Sequence, residues 1–275
     1  MSGILFVVAT PIGNLADASP RSLEVLRDAD LIACEDTRTT RTLLARHGIT
    51  TPTVSVHEHN ERAASTRLIG QLRQGQRVAL VSDAGTPGLS DPGALLVEQA
   101  HRAGIRVSPV PGPNAAAAGF SAAGFAADRF LFAGFLPAAR AARRKALQEL
   151  ELPCPLILYE APHRVLETLE DLVEQFGAQR EIAIGRELTK KFEEVARMPL
   201  GEARAWLLAD PQRLQGEFVL VVAPGEAKPA AQADAERTLD VLLDTMAPSE
   251  AARLAARITG LPRRLLYRKA LERAK

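Results

Sequence analysis

The loop at residues 82–93 has a composition that suits ligand binding. It reads Ser-Asp-Ala-Gly-Thr-Pro-Gly-Leu-Ser-Asp-Pro-Gly, follows a short apolar run at residues 78–81 and precedes an amphipathic stretch. Its glycines let the backbone approach a ligand closely, and Asp83 can accept hydrogen bonds from loop amides or from an ammonium group. A loop between a buried strand and a helix lies at the carboxyl edge of a sheet, where open α/β folds bind ligands. A tight turn capped by an aspartate is the structural alternative.

Two further loops follow predicted strands and contain Gly and Pro. Thr-Pro-Ile-Gly-Asn occupies residues 10–14, and Val-Pro-Gly-Pro-Asn occupies residues 110–114. None of the three loops has the glycine spacing that binds a pyrophosphate or triphosphate, which argues against a dinucleotide or a nucleoside triphosphate. We therefore expect a compact ligand without phosphates, held by backbone groups. S-adenosylmethionine fits this description.

Charged residues follow the second and third predicted strands, at the same predicted edge. Glu-Asp-Thr-Arg occupies residues 35–38, and Arg38 with nearby Arg41 would suit a substrate phosphate. His57 and His59 are two residues apart on a predicted extended segment, a spacing that could bind a metal ion. No third His or Cys ligand is evident, whereas zinc sites have three or four protein ligands, so no metal is expected.

Two polar clusters stand out in the second half of the chain. Tyr-Glu-Ala-Pro-His-Arg at residues 159–164 ends a predicted strand and starts a predicted helix. Residues 186–194 read Arg-Glu-Leu-Thr-Lys-Lys-Phe-Glu-Glu. Both clusters supply candidate site residues, although simple exposed charge explains the second cluster equally well.

These loops need a regular scaffold, and the sequence indicates an α/β fold. Short apolar runs alternate with amphipathic stretches up to residue 102, which indicates a mostly parallel sheet with helices on its faces. After Pro-Gly-Pro at 111–113, an Ala-rich helix leads into a second αβ region. The strands predicted there are 130–133, 156–159, 181–186 and 217–222. We predict domains over residues 1–118 and 119–224, with a ligand site in the cleft between them.

The bulk composition is typical of a globular protein. Of 275 residues, 47% are hydrophobic and 24% are charged, so the chain can bury a sizeable core. Its apolar runs are far shorter than the roughly 20 residues of a membrane-spanning helix, and no basic region precedes the first of them. Cys34 and Cys154 have apolar neighbours, which favours buried thiols over a disulfide or zinc site. We expect a cytoplasmic protein without a membrane segment.

The last part of the sequence differs in charge from the rest. Residues 225–236 are poor in large apolar residues and predict a linker before a helical tail at 237–275. From Ser249 to Lys275 there are eight Lys and Arg residues against two Glu, although the whole chain has a net charge of +1. Two predicted helices joined by a short turn, the second starting with Arg263 and Arg264, are typical of a helix-turn-helix, here expected to bind RNA. A helical dimerisation or capping element gives the same pattern.

Five segments carry a family resemblance. They lie at residues 8–15, 35–38, 81–87, 159–164 and 187–190. Together they resemble the ribosomal RNA small subunit methyltransferase I family, a branch of the tetrapyrrole methylase-like (class III) S-adenosylmethionine enzymes. The similarity covers essentially the whole chain, and these motifs show no departure from the family pattern.

The resemblance implies a fold, a reaction and a set of site residues. It implies a homodimer whose chains have two αβ domains and a small C-terminal helical module, with S-adenosylmethionine in the interdomain cleft. It also implies 2′-O-methylation of a decoding-centre cytidine in 16S ribosomal RNA, with the small ribosomal subunit as partner. By position, the resemblance assigns to the cofactor pocket Pro11, Asp83, Ala84, Gly85, Thr86, Asn114, Ala115, Tyr159, Glu160 and Ala161.

Methyl transfer from a sulfonium to a weakly acidic hydroxyl depends mainly on alignment of the two reacting atoms. A proton acceptor contributes less, and Lys190 (if desolvation neutralises it), Glu187 and His57 are the open candidates. Arg38 and Arg186 would hold flanking phosphates. Two alternatives are a tetrapyrrole C-methyltransferase, which has no evident need for a basic tail, and a non-catalytic RNA-binding module, which has no need for the cleft loops.

Overall fold

The computed structural model describes residues 3–57, 59–225 and 230–273. By its internal contacts the chain divides into two compact units, Met1–Pro224 and Gly225–Lys275, and each is described by itself. In the described part of the chain, no helix is both long and apolar enough to cross a membrane.

The first sheet of the larger unit is parallel throughout. Its strands are β1 (Ile4–Val8), β2 (Leu31–Cys34), β3 (Thr53–Ser55), β4 (Arg77–Val81) and β5 (Arg106–Val110). They lie in the order β3-β2-β4-β1-β5, and each neighbouring pair is parallel. The carboxyl ends of all five strands therefore lie at one edge, where the loops of interest begin.

Helices cover both faces of this sheet. They are α1 (Pro20–Asp28), α2 (Thr37–Arg46), α3 (Glu61–Arg73) and α4 (Ala94–Arg102). In β4, Val78 and Leu80 pack in the core with α3 and α4, whereas Ala79 and Val81 pack in the core with α1 and α2. This burial on both faces explains the continuous apolar runs that predict these strands.

Polar side chains start these helices close to the strand ends. Ser19 Oγ accepts a hydrogen bond from the N–H of Ser22 at the start of α1, and Asp36 Oδ1 accepts one from the N–H of Arg38 at the start of α2. Such N-caps contribute about 1 kcal/mol each, because they pair amides that lack a partner within the helix. The connections to α1 and α2 are thereby held at the carboxyl edge.

The second sheet is mixed. Its strands are β6 (Leu131–Phe135), β7 (Leu156–Glu160), β8 (Glu181–Arg186), β9 (Glu194–Pro199) and β10 (Phe218–Val222). They lie in the order β6-β7-β10-β8-β9, with β6 and β7 parallel and the remaining pairs antiparallel. The sequence predicts four of these strands but not β9, an edge strand whose apolar residues are interrupted by charged ones.

Helix α5 (Ala115–Ala123) packs against one face of the second sheet. Its buried residues Ala116 and Ala123 contact a core that includes Val219 of β10. Gly119 allows close approach, since a Cβ there would lie 2.6 Å from Val219 Cγ1. The predicted domain boundary after residue 118 falls inside this helix.

Three helices cover the opposite face of the second sheet. They are α6 (Arg140–Glu149), α7 (Val165–Phe176) and α8 (Leu200–Leu208), of which the sequence does not predict α8. Arg143 of α6 and Asp171 of α7 are both buried, and Arg143 Nε donates to Asp171 Oδ2 at 2.8 Å. A buried charge of this kind requires its partner.

The described residues of the smaller unit form three helices, α9 (Ala230–Leu243), α10 (Pro248–Thr259) and α11 (Arg263–Arg273). Leu239, Ala255 and Leu266 belong to its core. Gly260 ends α10 in the left-handed conformation, with a φ of +73°, and allows the short turn into α11. Helix α9 starts within the predicted linker 225–236, and residues 226–229 of that linker lie outside the described part.

Candidate active site

Three strand-ending loops meet at the carboxyl edge of the first sheet. The loops after β1 and β4 pair through two backbone hydrogen bonds between Thr10 and Gly85, with N–O distances of 2.8 and 3.0 Å. Thr86 Oγ1 donates to the carbonyl oxygen of Pro113 at 3.2 Å, which joins the loop after β5 to them. Gly85 has a φ of +79°, a conformation that favours glycine. The three loops therefore form one continuous surface.

A cavity of about 400 Å³, here called the main cavity, lies against this surface. Its volume falls in the range of roughly 300–1,000 Å³ that is typical of small-molecule sites. Eight of the ten predicted cofactor residues line it, namely Ala84, Gly85, Thr86, Asn114, Ala115, Tyr159, Glu160 and Ala161. The other lining residues are Ile12, Leu89, Ser90, Asp91, Phe135, Pro162, Leu188, Glu217, Phe218 and Val219. Residues of both halves of the larger unit thus contribute to one site.

Pro11 and Asp83, which are also predicted to bind the cofactor, line a different cavity. Its volume is about 270 Å³, and Thr39 and Thr40 of α2 are among its walls. Asp83 Oδ1 accepts a hydrogen bond from the N–H of Asp36 at 2.9 Å. Pro11 and Asp83 therefore lie apart from the other eight residues, and their role in cofactor binding stays a prediction.

Tyr159 connects β7 to the start of α5. Its Oη accepts a hydrogen bond from the N–H of Ala116 at 3.0 Å. Burial raises the pKa of the phenol, although this hydrogen bond acts in the opposite direction. The rings of Phe132 and Phe135 pack edge-on against Tyr159, with centroids 4.9 and 5.7 Å away. Tyr159 therefore keeps its proton and forms a fixed part of the cavity wall.

Glu160 is buried and engaged on both carboxylate oxygens. It accepts hydrogen bonds from the N–H of Ala161 at 2.8 Å and from Thr168 Oγ1 at 2.6 Å, and it pairs with Arg164 at 3.2 Å. Asn114 is engaged as well, because its side chain caps α5 through the N–H of Ala117. Both residues shape the wall of the main cavity through bonds that they make within the chain.

Asp91 lines the main cavity but is not among the site residues predicted from the sequence. Burial, together with the negative charges of Glu35 and Asp83, raises its pKa from 3.8 to about 6. Burial and the charge of Asp83 also raise the pKa of Glu35. Carboxyl groups with raised pKa in a cleft are candidates for proton transfer. The signal in the sequence is the second Ser-Asp pair of the same loop, at residues 90–91.

Lys190 and Glu187, two predicted proton acceptors, form an ion pair outside the wall of the main cavity. Lys190 Nζ lies 2.8 Å from Glu187 Oε1 and 3.0 Å from Glu217 Oε2. Burial lowers the pKa of Lys190, but the bonds to the two carboxylates outweigh it and the pKa is raised overall. Burial likewise raises the pKa of Glu187, yet its hydrogen bonds lower it overall. Desolvation therefore does not neutralise Lys190. Its predicted role as proton acceptor required a neutral amine, so the structure does not meet that requirement.

His57, the third predicted proton acceptor, does not line the main cavity either. Its ring is half-buried and lies 5.9 Å from the ring of His59 between centroids. Its backbone N–H donates to Asn60 Oδ1 at 2.9 Å. Among the residues that the structure describes, no group of three or more His, Cys, Asp or Glu could hold a metal ion.

Comparison with known proteins identifies the family. The model of the Tetrapyrrole (Corrin/Porphyrin) Methylases matches residues 5–204, and the model of the RsmI C-terminal HTH domain matches residues 229–274. Ribosomal RNA small subunit methyltransferase I of Pseudomonas aeruginosa is 51% identical over 99% of this chain and 98% of its own. The chain belongs to the ribosomal RNA small subunit methyltransferase I family. The Escherichia coli O157:H7 protein of that name is 48% identical, over 98% and 95% of the two chains.

Family membership confirms the predicted methyltransferase class, and solved structures confirm the fold. A uroporphyrin-III-C-methyltransferase from Thermus thermophilus has a TM-score of 0.57 at 22% identity, over 80% of this chain and 94% of that one. The methyltransferase CobJ has a TM-score of 0.61 at 21% identity, over 83% and 97%. Because both identities are below 25%, these structures support a shared fold and not a shared activity.

Four of the five arginines predicted to bind RNA are exposed. The Arg38 side chain is 86% exposed and pairs with Asp36 at 2.6 Å. Arg41 lies on the same helix, one turn further along. Arg263 and Arg264 begin α11 in the smaller unit. All four guanidinium groups can therefore reach a polyanion.

Arg186 is the exception, because only 5% of it is exposed. Its guanidinium donates to the carbonyl oxygens of Phe192 and Gln212, at 2.8 Å each. These bonds hold the segments that follow β8 and α8. We correct its predicted phosphate-binding role to a structural one.

Proposed function

We propose that this chain transfers a methyl group from S-adenosylmethionine to the ribose 2′-oxygen of a decoding-centre cytidine in 16S ribosomal RNA. The observation that carries the proposal is the 51% identity to a ribosomal RNA small subunit methyltransferase I, which extends over 99% of the chain. That similarity includes the basic helical unit. A tetrapyrrole substrate would leave this unit without a role.

The main cavity suits S-adenosylmethionine in charge and shape. Its described lining residues include Asp91, Glu160 and Glu217 but no Lys or Arg. A cationic sulfonium is stabilised near carboxylates and destabilised near other cations. Gly85 and Ala115 present backbone groups with little side chain in front of them. Apolar residues such as Leu188 offer a surface for a flat ring.

The residues of the chain act mainly by holding the reactants in line. When bound, S-adenosylmethionine supplies an electrophilic methyl group. Alignment of that carbon with the attacking oxygen can lower the barrier by roughly 7–11 kcal/mol. The hydrogen-bonded pair Thr10 and Gly85 fixes two walls of the main cavity, and Tyr159, held by Ala116 and aromatic neighbours, fixes a third.

RNA binding is assigned to exposed arginines in both units. Within the smaller unit, Lys269 and Arg273 of α11 form ion pairs with Glu236 of α9, so they hold the helices together. Arg263 and Arg264 are exposed at the other end of α11, where they can bind phosphates. Contacts of this kind make RNA affinity fall steeply with salt.

We further propose that the chain acts as a homodimer in the cytoplasm, on the small ribosomal subunit. Phe192 and Val195 are large apolar side chains that stay exposed on the single chain, as expected for a surface that a second copy covers. Analytical ultracentrifugation checks this part of the proposal. Sedimentation as a monomer at micromolar concentration would contradict it.

The proposed reaction is tested with labelled S-adenosylmethionine and small ribosomal subunits that lack the modification. Incorporation of label into 16S RNA is the expected result. A parallel assay offers a porphyrinoid acceptor in place of the subunit. Label in the porphyrinoid alone would replace the proposal with tetrapyrrole methylation.

A further inference from the structure

We propose that the Asp91 carboxylate accepts the proton of the hydroxyl group that is methylated. The inference rests on the proposed methyl transfer and adds its general base. Asp91 is half-buried and lines the main cavity at the far end of the loop that follows β4. It is therefore placed to contact an acceptor that enters the cavity.

The other titratable side chains that line the main cavity are occupied or keep their protons. Glu160 is fully engaged in bonds within the chain. Glu217 pairs with Lys190 at 3.0 Å, and its side chain is 78% exposed. Tyr159 stays protonated because burial raises the pKa of its phenol. Asp91 remains. The Ser82 side chain hydrogen-bonds to it, but none of the ion pairs among the described residues includes it.

The charged and titratable groups around Asp91 favour this role. Glu35 faces it from the end of β2, Asp83 from the end of β4, and Tyr159 from β7 of the second sheet. Burial and the negative charges of Glu35 and Asp83 raise its pKa to about 6, although a hydrogen bond from the Ser82 side chain acts in the opposite direction. A carboxylate with such a pKa is largely ionised at pH 7, yet it accepts a proton more readily than an ordinary aspartate.

Methyl transfer to the hydroxyl group requires no reactant other than S-adenosylmethionine and the acceptor. The hydroxyl oxygen forms a bond to the methyl carbon while the carbon–sulfur bond breaks. The electron pair of that bond stays on sulfur, which changes from a sulfonium to a neutral thioether. The hydroxyl proton moves to an Asp91 carboxylate oxygen and is then released to solvent.

Single-turnover methyl transfer to unmodified small subunits tests the role with Asp91→Asn and Asp91→Glu. At saturating cofactor, we expect Asp91→Asn to slow transfer by roughly 10²–10⁴-fold, the usual contribution of a general base. Calorimetry gives its cofactor Kd, and the cofactor is held well above that Kd, so a weaker cofactor affinity does not contribute to the loss of rate. Asp91→Glu keeps a carboxylate and restores part of the rate.

The pH dependence of the transfer rate distinguishes a general base from a residue with only a structural role. The wild-type rate falls in acid with a midpoint near pH 6, since only ionised Asp91 accepts a proton. Glu35→Gln removes a negative neighbour, lowers the pKa of Asp91 and shifts this midpoint to lower pH. Asp91→Asn loses the midpoint.

Two results would overturn the inference. One is a wild-type rate at saturating cofactor in Asp91→Asn, and the other is an acid midpoint that survives in that variant. Both differ from failure of the proposed function, in which the wild-type chain itself transfers no methyl group to the subunit.

Discussion

The Oη atom of Tyr159 lies 3.0 Å from the backbone nitrogen of Ala116, and this hydrogen bond joins the end of β7 to the first turn of α5. Amides in the first turn of a helix have no partner within the helix, and Tyr159 pairs one of them. Tyr159 and the neighbouring Ala115 both line the main cavity. One contact therefore sets the distance between two of its walls.

Tyr159→Phe should weaken cofactor binding, because it removes this hydrogen bond and leaves the Ala116 amide unpaired. A loss of about 0.5–1.5 kcal/mol corresponds to a roughly 2- to 12-fold rise in the cofactor Kd. Isothermal titration calorimetry measures it. Tyr267→Phe, in α11 of the smaller unit, is the matched control and should leave the Kd unchanged. An equal effect of both variants would contradict the role of Tyr159.

Gly119→Ala should destabilise the larger unit, since the new Cβ would lie 2.6 Å from Val219 Cγ1. Overpacking of this kind costs about 1–3 kcal/mol. Gly70→Ala, in α3 with open space around it, is expected to stabilise by about 0.5–1 kcal/mol. Urea denaturation of the two variants compares them. A gain in stability in Gly119→Ala, like that expected for Gly70→Ala, would show that α5 does not pack as closely as described.

Asp171→Ala should cost about 3–5 kcal/mol of unfolding free energy, because it removes the buried carboxylate of the fully buried Arg143 and leaves it only the exposed Glu167 and the Ala138 carbonyl. The adjacent Glu170 is 44% exposed and pairs with Arg204 on the surface, so Glu170→Ala should cost no more than about 1 kcal/mol. Chemical denaturation of the two variants measures the difference in their unfolding free energies. Similar losses would mean that Asp171 is not the buried partner.

Lys190→Met should leave the shape of the pH–rate profile unchanged. The Lys190 ammonium has a raised pKa, so it stays protonated across neutral pH and has no lone pair to accept a proton. Lys191→Met, at the exposed neighbouring position, is the control for the loss of one charge. Disappearance of a titrating limb in Lys190→Met alone would restore Lys190 as the base.

Arg263→Ala combined with Arg264→Ala should weaken RNA binding and lower its dependence on salt. Each lost phosphate contact reduces the slope of log affinity against log salt by roughly 0.7–0.9. Filter binding at several salt concentrations measures the slope. Arg237→Ala, on an exposed position of α9 that pairs with Asp234, should have little effect. An unchanged slope in the double variant would assign the unit to another role.

Much of the site follows from the sequence, because loops at the carboxyl ends of parallel strands must share one edge. Thr86, Asn114 and Ala115 line the main cavity for this reason. The same logic fails for Asp83, whose side chain turns to the amide of Asp36. The direction of a loop side chain depends on contacts between segments that are distant in the sequence.

Burial and edge position explain the features that the sequence does not predict. Arginine is a residue type that often binds phosphate. The Arg186 side chain, however, is buried and donates hydrogen bonds to two backbone carbonyl oxygens. The raised pKa of Asp91 comes first from burial and then from the charge of Glu35, a residue 56 positions earlier in the chain. Strand β9 has no continuous apolar run, since it lies at the edge of its sheet.

The most direct test of the central claim is nucleoside analysis of 16S RNA after transfer from labelled S-adenosylmethionine to unmodified small subunits. We expect digestion to nucleosides to yield the label in 2′-O-methylcytidine, and the label to map to one cytidine of the decoding centre. Label on a base, or no label in RNA despite cofactor binding, would contradict it.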